Sequence, residues 1–207
     1  LEGIYGAMLA KMGESLYHVG FAANRVLSSL AEVVTPYKDS WNTNWSDYNI
    51  VTHAVFAVLA AKPDSAVKVL AQGDTAVTAF IPNDRAFRIL VRQLTGKNVK
   101  TESAVFAAVA SLGIPTVEQV LLYHVVPGAT ITSDQALKAN GAKLTTALGK
   151  TITVRVTKGP KIILQDLNRK VRDPRVILSQ VDINKGNAQV AHGIDRVLLP
   201  ISFKPKH

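Results

Sequence analysis

An α+β fold is what this sequence predicts, on three observations. Apolar residues recur at helical spacing through most of the chain before Pro127-Gly128, and short alternating stretches of strand type follow it. At 207 residues and 47% hydrophobic, the chain can bury one substantial core and leaves little for a second full domain. Helices first and strands mostly after suit one core shared by both.

The elements follow in order. Residues 4–34 read as an amphipathic helix, with Tyr5, Met8, Met12, Leu16, Val19, Ala23, Val26, Leu30 and Val33 at spacings of three and four. Gly6, Gly13 and Gly20 line up beside that stripe and allow close backbone approach. So apolar a helix is expected to pack on its own domain, on a second copy of the chain or on a membrane surface. Pro36 stops it, and 35–49, polar and aromatic with Trp41, Trp45 and Tyr48, reads as a linker wrapping the domain edge. Asn44-Trp45-Ser46 fits a glycosylation sequon.

A domain is then expected over 50–203. It opens with a helix at 50–61, a short helix at 65–71 and a strand at 75–81. Pro82-Asn83-Asp84 starts the next helix, with Asn83 or Asp84 capping it. Helices are expected at 101–112 and 116–124, a strand element at Ile131 and a short helix at 133–139 capped by Ser133. Strands follow at 143–147, 151–157 and 161–166, the last two a hairpin across Lys158-Gly159-Pro160. Stretches 176–182 and 186–199 complete the β part.

Three segments stand together in order and spacing. They are Thr78-Ala79-Phe80-Ile81-Pro82-Asn83-Asp84-Arg85-Ala86-Phe87, Leu121-Leu122-Tyr123-His124-Val125-Val126-Pro127-Gly128, and Val190-Ala191-His192-Gly193-Ile194-Asp195-Arg196-Val197-Leu198-Leu199-Pro200. The chain so resembles the fasciclin (FAS1) family in its first block, its Tyr-His motif and its second block. The style of 182–195 is similar to secreted actinobacterial members. The resemblance implies a wedge-shaped β-sandwich with a helical layer, and a secreted or cell-surface protein working in adhesion and interaction. It also implies a structural part for Tyr123, His124, Pro127, Asn83, Asp84, His192 and Asp195.

The chemistry the residues exclude agrees with a non-catalytic reading. Cysteine is absent, which removes disulfides, zinc-thiolate sites and thiol nucleophiles. His192 with Asp84 or Asp195 and a serine such as Ser133 is the nearest approach to a hydrolase triad, but no nucleophile elbow is present. No phosphate-cradling glycine loop occurs, the histidines lack metal-ligand spacing, and Asp182, Asn184, Gly186 and Asn187 read as a polar turn rather than a calcium loop. Neither cofactor nor metal is expected. Lys11 and Glu14 interrupt what would be the apolar region of a signal peptide, so an exported protein would already have lost its leader. No stretch reaches the ~20 apolar residues of a membrane span.

Charge points to partners. Lys and Arg number 24 against 15 Asp and Glu, with a pI near 9.8. The excess concentrates in Lys143, Lys150, Arg155, Lys158, Lys161, Arg169, Lys170 and Arg172, expected to contact acidic cell-surface or matrix polymer. That stretch holds no aromatic residue, so specific nucleic-acid binding is not expected. The alternatives are a carrier of a hydrophobic molecule such as a carotenoid, and self-assembly through Tyr5, Met8, Met12, Leu16, Val19, Val26 and Leu30 into a homo-oligomer.

Overall fold

The computed structural model describes residues 27–207. The self-association residues Tyr5, Met8, Met12, Leu16, Val19 and Val26 lie outside the described residues. The helix expected to run through to 34 does not do so: residues 27–29 are non-helical, and Ser29 Oγ accepts from the Glu32 amide to open a new helix, α1 (Leu30–Val34). Leu30 is buried in the domain core.

After a 3-10 turn on Pro36 come α2 (Asn49–Ala61) and a 3-10 segment (Ala66–Ala71) capped by Ser65. Strand β1 (Val77–Pro82) feeds α3 (Asp84–Thr95), opened by Asn83 and closed by Gly96 at φ 76°. Thr101 caps α4 (Glu102–Ala110), and Pro115 sits in the first turn of α5 (Ile114–Leu122). The remaining elements are β2 (Val125–Pro127), α6 (Ser133–Leu137), β3 (Lys143–Thr145), β4 (Thr151–Thr157), β5 (Lys161–Gln165) and β6 (Gln189–Ile194).

The strands form two three-stranded sheets. In the first, β1 is central, antiparallel to β2 and parallel to β6, with register running from Val77 opposite Gln189 to Pro82 opposite Ile194. All six residues of β6 are buried. The second is a meander, β3-β4-β5, in which Lys143 faces Thr153 and Thr157 faces Lys161. Its residues alternate: Ile152, Val154, Ile162 and Leu164 point in, while Thr151, Arg155 and Lys161 point out.

Strand β1 divides the core. Val77 and Ala79 join Ile50, Val58, Phe87, Leu90 and Val105 under the helices, whereas Phe80 joins Tyr123, Ile152, Leu164 and Ile194 between the sheets. Tyr48, read from the sequence as linker, lies in the helical cluster. Gln189, fully buried at the start of β6, accepts from the Leu30 amide and donates to Val69 O and Gln72 O, tying three distant segments together.

Several expected elements differ. Ile131 forms no strand, and Thr132 rather than Ser133 caps α6, in a reciprocal capping box with Gln135. The stretch 176–182 makes only isolated bridges, such as Val176 to Ile194. Positive φ at Asp182 (56°), Asn184 (69°) and Gly186 (93°) turns the chain before β6 can begin.

Candidate functional site

Pairing of β2 with β1 places Tyr123 and His124 at the inner edge of the first sheet, where α5 ends. His124 Nδ1–H donates to Val120 O (2.6 Å), and Nε2 accepts the Leu198 amide (2.9 Å). Burial drives its pKa down to about 4, so the ring is neutral and bridges helix to C-terminal segment. Tyr123, fully buried, donates its hydroxyl to Thr151 O (2.8 Å) and so joins α5 to β4. Pro127, exposed, ends β2.

His192 holds the opposite tautomer. Nε2–H donates to Ile131 O (2.7 Å) while Nδ1 accepts the Asp182 amide (3.1 Å). Desolvation lowers its pKa as well. Ser133 donates its hydroxyl to the Asp182 carboxylate. Both nitrogens of His192 therefore serve backbone groups, and the Ser133 hydroxyl faces the Asp182 carboxylate rather than an imidazole. Asp195 accepts from the Arg175 amide (2.8 Å) and pairs with Arg172 (2.6 Å), fixing the 172–175 loop to the end of β6.

Asp84 has a task different from the expected cap. Asn83 Oδ1 caps α3 through the Ala86 amide, while the Asp84 carboxylate accepts from the Ile50 (2.7 Å) and Asn49 (3.3 Å) amides at the start of α2. Asp84 thus caps the neighbouring helix, whose own N-cap, Tyr48, offers no side-chain bond. Asp47 and Glu102 come close enough that one oxygen of each lies within 4.8 Å of the others. Their oxygens are of the type that hard cations accept. Burial, then hydrogen bonding to Asp47, pushes Asp84 up to about 9, so this carboxyl holds its proton far more readily than an ordinary one.

The basic residues divide. Lys143, Arg155 and Lys161 are exposed on the outer face of β3-β4-β5, Lys158 is in the hairpin turn, and Arg169 and Lys170 are exposed in the loop beyond β5. Arg155 Nε donates to Gln165 across the strands. Lys150 bends away to Pro200 O (3.2 Å), and Arg172 is spent on Asp195.

A family model for the fasciclin domain matches residues 52–200. The chain belongs to the fasciclin-domain family. No curated protein matches it. Among solved structures, it is similar to a FAS1 domain pair from the insect cell adhesion molecule fasciclin I, at 19% identity and a TM-score of 0.46. That match covers 72% of this chain and 45% of the other, so it spans under half the length of that domain pair. Fasciclin domains are adhesion and interaction modules, typically extracellular or at the cell surface. Among the described residues of this one, no single helix is long and apolar enough to cross a membrane.

Two groupings in the fasciclin domain escaped the sequence reading. Asp47, Asp84 and Glu102 are far apart in the chain and meet only through packing. Arg85, Arg88 and Arg92 share one face of α3, a signal the helical period carried, but their companions Trp45 and Arg196 come from elsewhere.

Proposed function

We propose that this fasciclin domain works outside the cell as a non-catalytic interaction module that holds acidic cell-surface or matrix polymers or protein partners. The observation that carries the reading is the one-signed charge on the outer face of the β3-β4-β5 sheet. Strands β3, β4 and β5 contain no Asp or Glu, and they present Lys143, Arg155 and Lys161 to solvent. A surface of this kind gathers polyanions through long-range attraction. Tyr123, His124, Asn83, Asp84, His192 and Asp195 have structural parts in this reading, since their polar atoms are consumed by backbone, side-chain or ion-pair partners within the domain. Binding to an acidic polysaccharide should weaken steeply between low and physiological salt, as exposed charges are screened. Salt-insensitive binding, measured by calorimetry across that range, would remove the electrostatic reading.

A carrier role has weaker support. The apolar cleft between Leu90, Leu94, Leu112, Val120, Ile201 and Phe203 encloses about 150 Å³. Pockets that take small molecules commonly enclose about 300–1,000 Å³.

A further inference from the structure

Helix α3 carries arginine at 85, 88 and 92, on the side opposite the buried Ala86, Phe87, Leu90 and Val91. These arginines span about 10 Å of helix axis at ~1.5 Å per residue. On one flank Trp45, Ser46 and Asn98 complete a cavity of about 490 Å³. On the other, Arg196 and Lys206 help to complete one of about 570 Å³. Arg85, Ile89 and Arg92 line both, so the two make one groove along the helix. Its walls are fixed by backbone bonds: the Arg85 amide to Trp45 O (2.9 Å) and the Lys206 amide to Gln93 O (2.8 Å).

The groove's charged side chains have one sign. No Asp or Glu lines either cavity among the described residues, and Asp195, beside Arg196 in the chain, is already taken by Arg172. Burial, followed by the nearby Arg172, holds the Arg196 guanidinium below its ordinary range despite Asp195, with Arg85 and Arg175 pushing the same way. Like charges gathered on a concave surface oppose folding, and a bound polyanion relieves them. Guanidinium forks match sulfate and carboxylate oxygens bidentately, which a lysine cannot do.

We propose that this groove, more than the sheet face, seats an acidic polysaccharide whose sulfate or carboxylate groups pair with Arg85 and Arg92. Both side chains are exposed and, among the described residues, have neither a hydrogen-bond nor an ion-pair partner. Arg88 is a wall rather than a ligand group, because its Nε donates to Val99 O (2.8 Å) and its guanidinium lies 4.6 Å over the Trp45 ring. Ser46 and Asn98 offer polar partners for sugar hydroxyls. Nucleic acid fits less well, since single strands need aromatic platforms and the Trp45 ring already has the Arg88 guanidinium over it.

The inference rests on the reading of the domain as a binder of acidic polymers, and one set of measurements separates the two. Binding of heparin and of polygalacturonate is compared for the unaltered chain, for R85Q/R92Q and for R155Q/K161Q, with melting curves as the folding control. The groove pair should lose at least about tenfold in affinity, the equivalent of one ionic contact, while the sheet pair stays within about twofold, as for rim charges. In the unaltered protein, heparin should also shield Arg85 and Arg92 from phenylglyoxal, read by mass spectrometry. Full affinity in the groove pair, or no shielding, overturns the groove. If the sheet pair alone loses binding, the polymer reading stands without it; if neither polysaccharide binds the unaltered chain, both fall. Polyglutamate or an oligonucleotide binding as tightly as heparin at equal salt overturns the choice of a glycan.

Discussion

The two sheets solve opposite problems. Strands β1 and β6 are buried on both faces, so the polar groups around them are used up internally: His124 and His192 each bond two backbone groups, and Gln189 bonds three. The meander β3-β4-β5 is covered on one face, and its other face carries threonines and exposed cations. Where both faces are buried, each polar residue has a fixed partner and little tolerance for change. Where one face is wet, outward residues are released from packing and can serve a partner.

Four changes test that contrast. The largest effect belongs to His124→Ala, which leaves Val120 O and the Leu198 amide without partners in a fully buried site. It should cost about 2–4 kcal/mol in urea unfolding; a variant that melts like the unaltered chain but loses its ligand would reverse the structural assignment. Gly193→Ala comes next. A Cβ there would collide with the Tyr48 hydroxyl, which donates to Gln180 (2.6 Å) across the strand. A loss of about 1–3 kcal/mol is expected from such overpacking, read as a fall in melting temperature.

The third test uses pH. Asp84 is raised in the folded state, so its contribution is fully present below its unfolded pKa and is lost as pH rises toward about 9. Between pH 7 and 9 stability should fall at up to about 1.4 kcal/mol per pH unit. Asp84→Asn should flatten that slope, and an unchanged slope would place the proton elsewhere. His124 has the opposite sign: its contribution is present above about 6.5 and is lost as pH falls toward about 4. Asp166, raised to about 6 by burial, offsets part of this loss over the same window. The His124 ring is therefore best followed by NMR titration, where it should stay neutral until about pH 4.

The smallest effect on stability is on the wet face. Arg155→Gln with Lys161→Gln should change unfolding free energy by no more than about 0.5 kcal/mol. A larger loss would mean that the outer face is engaged in folding after all.

What the sequence disclosed follows the same division. The β4–β5 hairpin was legible because one side is wet and alternation survives. The start of β6 was not, because three positive-φ residues bend the chain within a stretch whose composition still looks like strand. Asn83 was legible as a cap because its partner lies three residues on. Asp84 was not, because it caps a helix 34 residues upstream. The arginine groove was half legible: the spacing of 85, 88 and 92 is local, whereas Arg196 and Trp45 arrive by tertiary packing.

The parallel pairing of β1 with β6 also governs when the fold can close. Val77–Pro82 must wait for Gln189–Ile194, near the far end of the chain, before its second edge is filled. Contacts so distant in sequence form slowly, because loop closure precedes any reward. Without β6, one edge of the central strand β1 has no partner strand and is open to pairing with another chain.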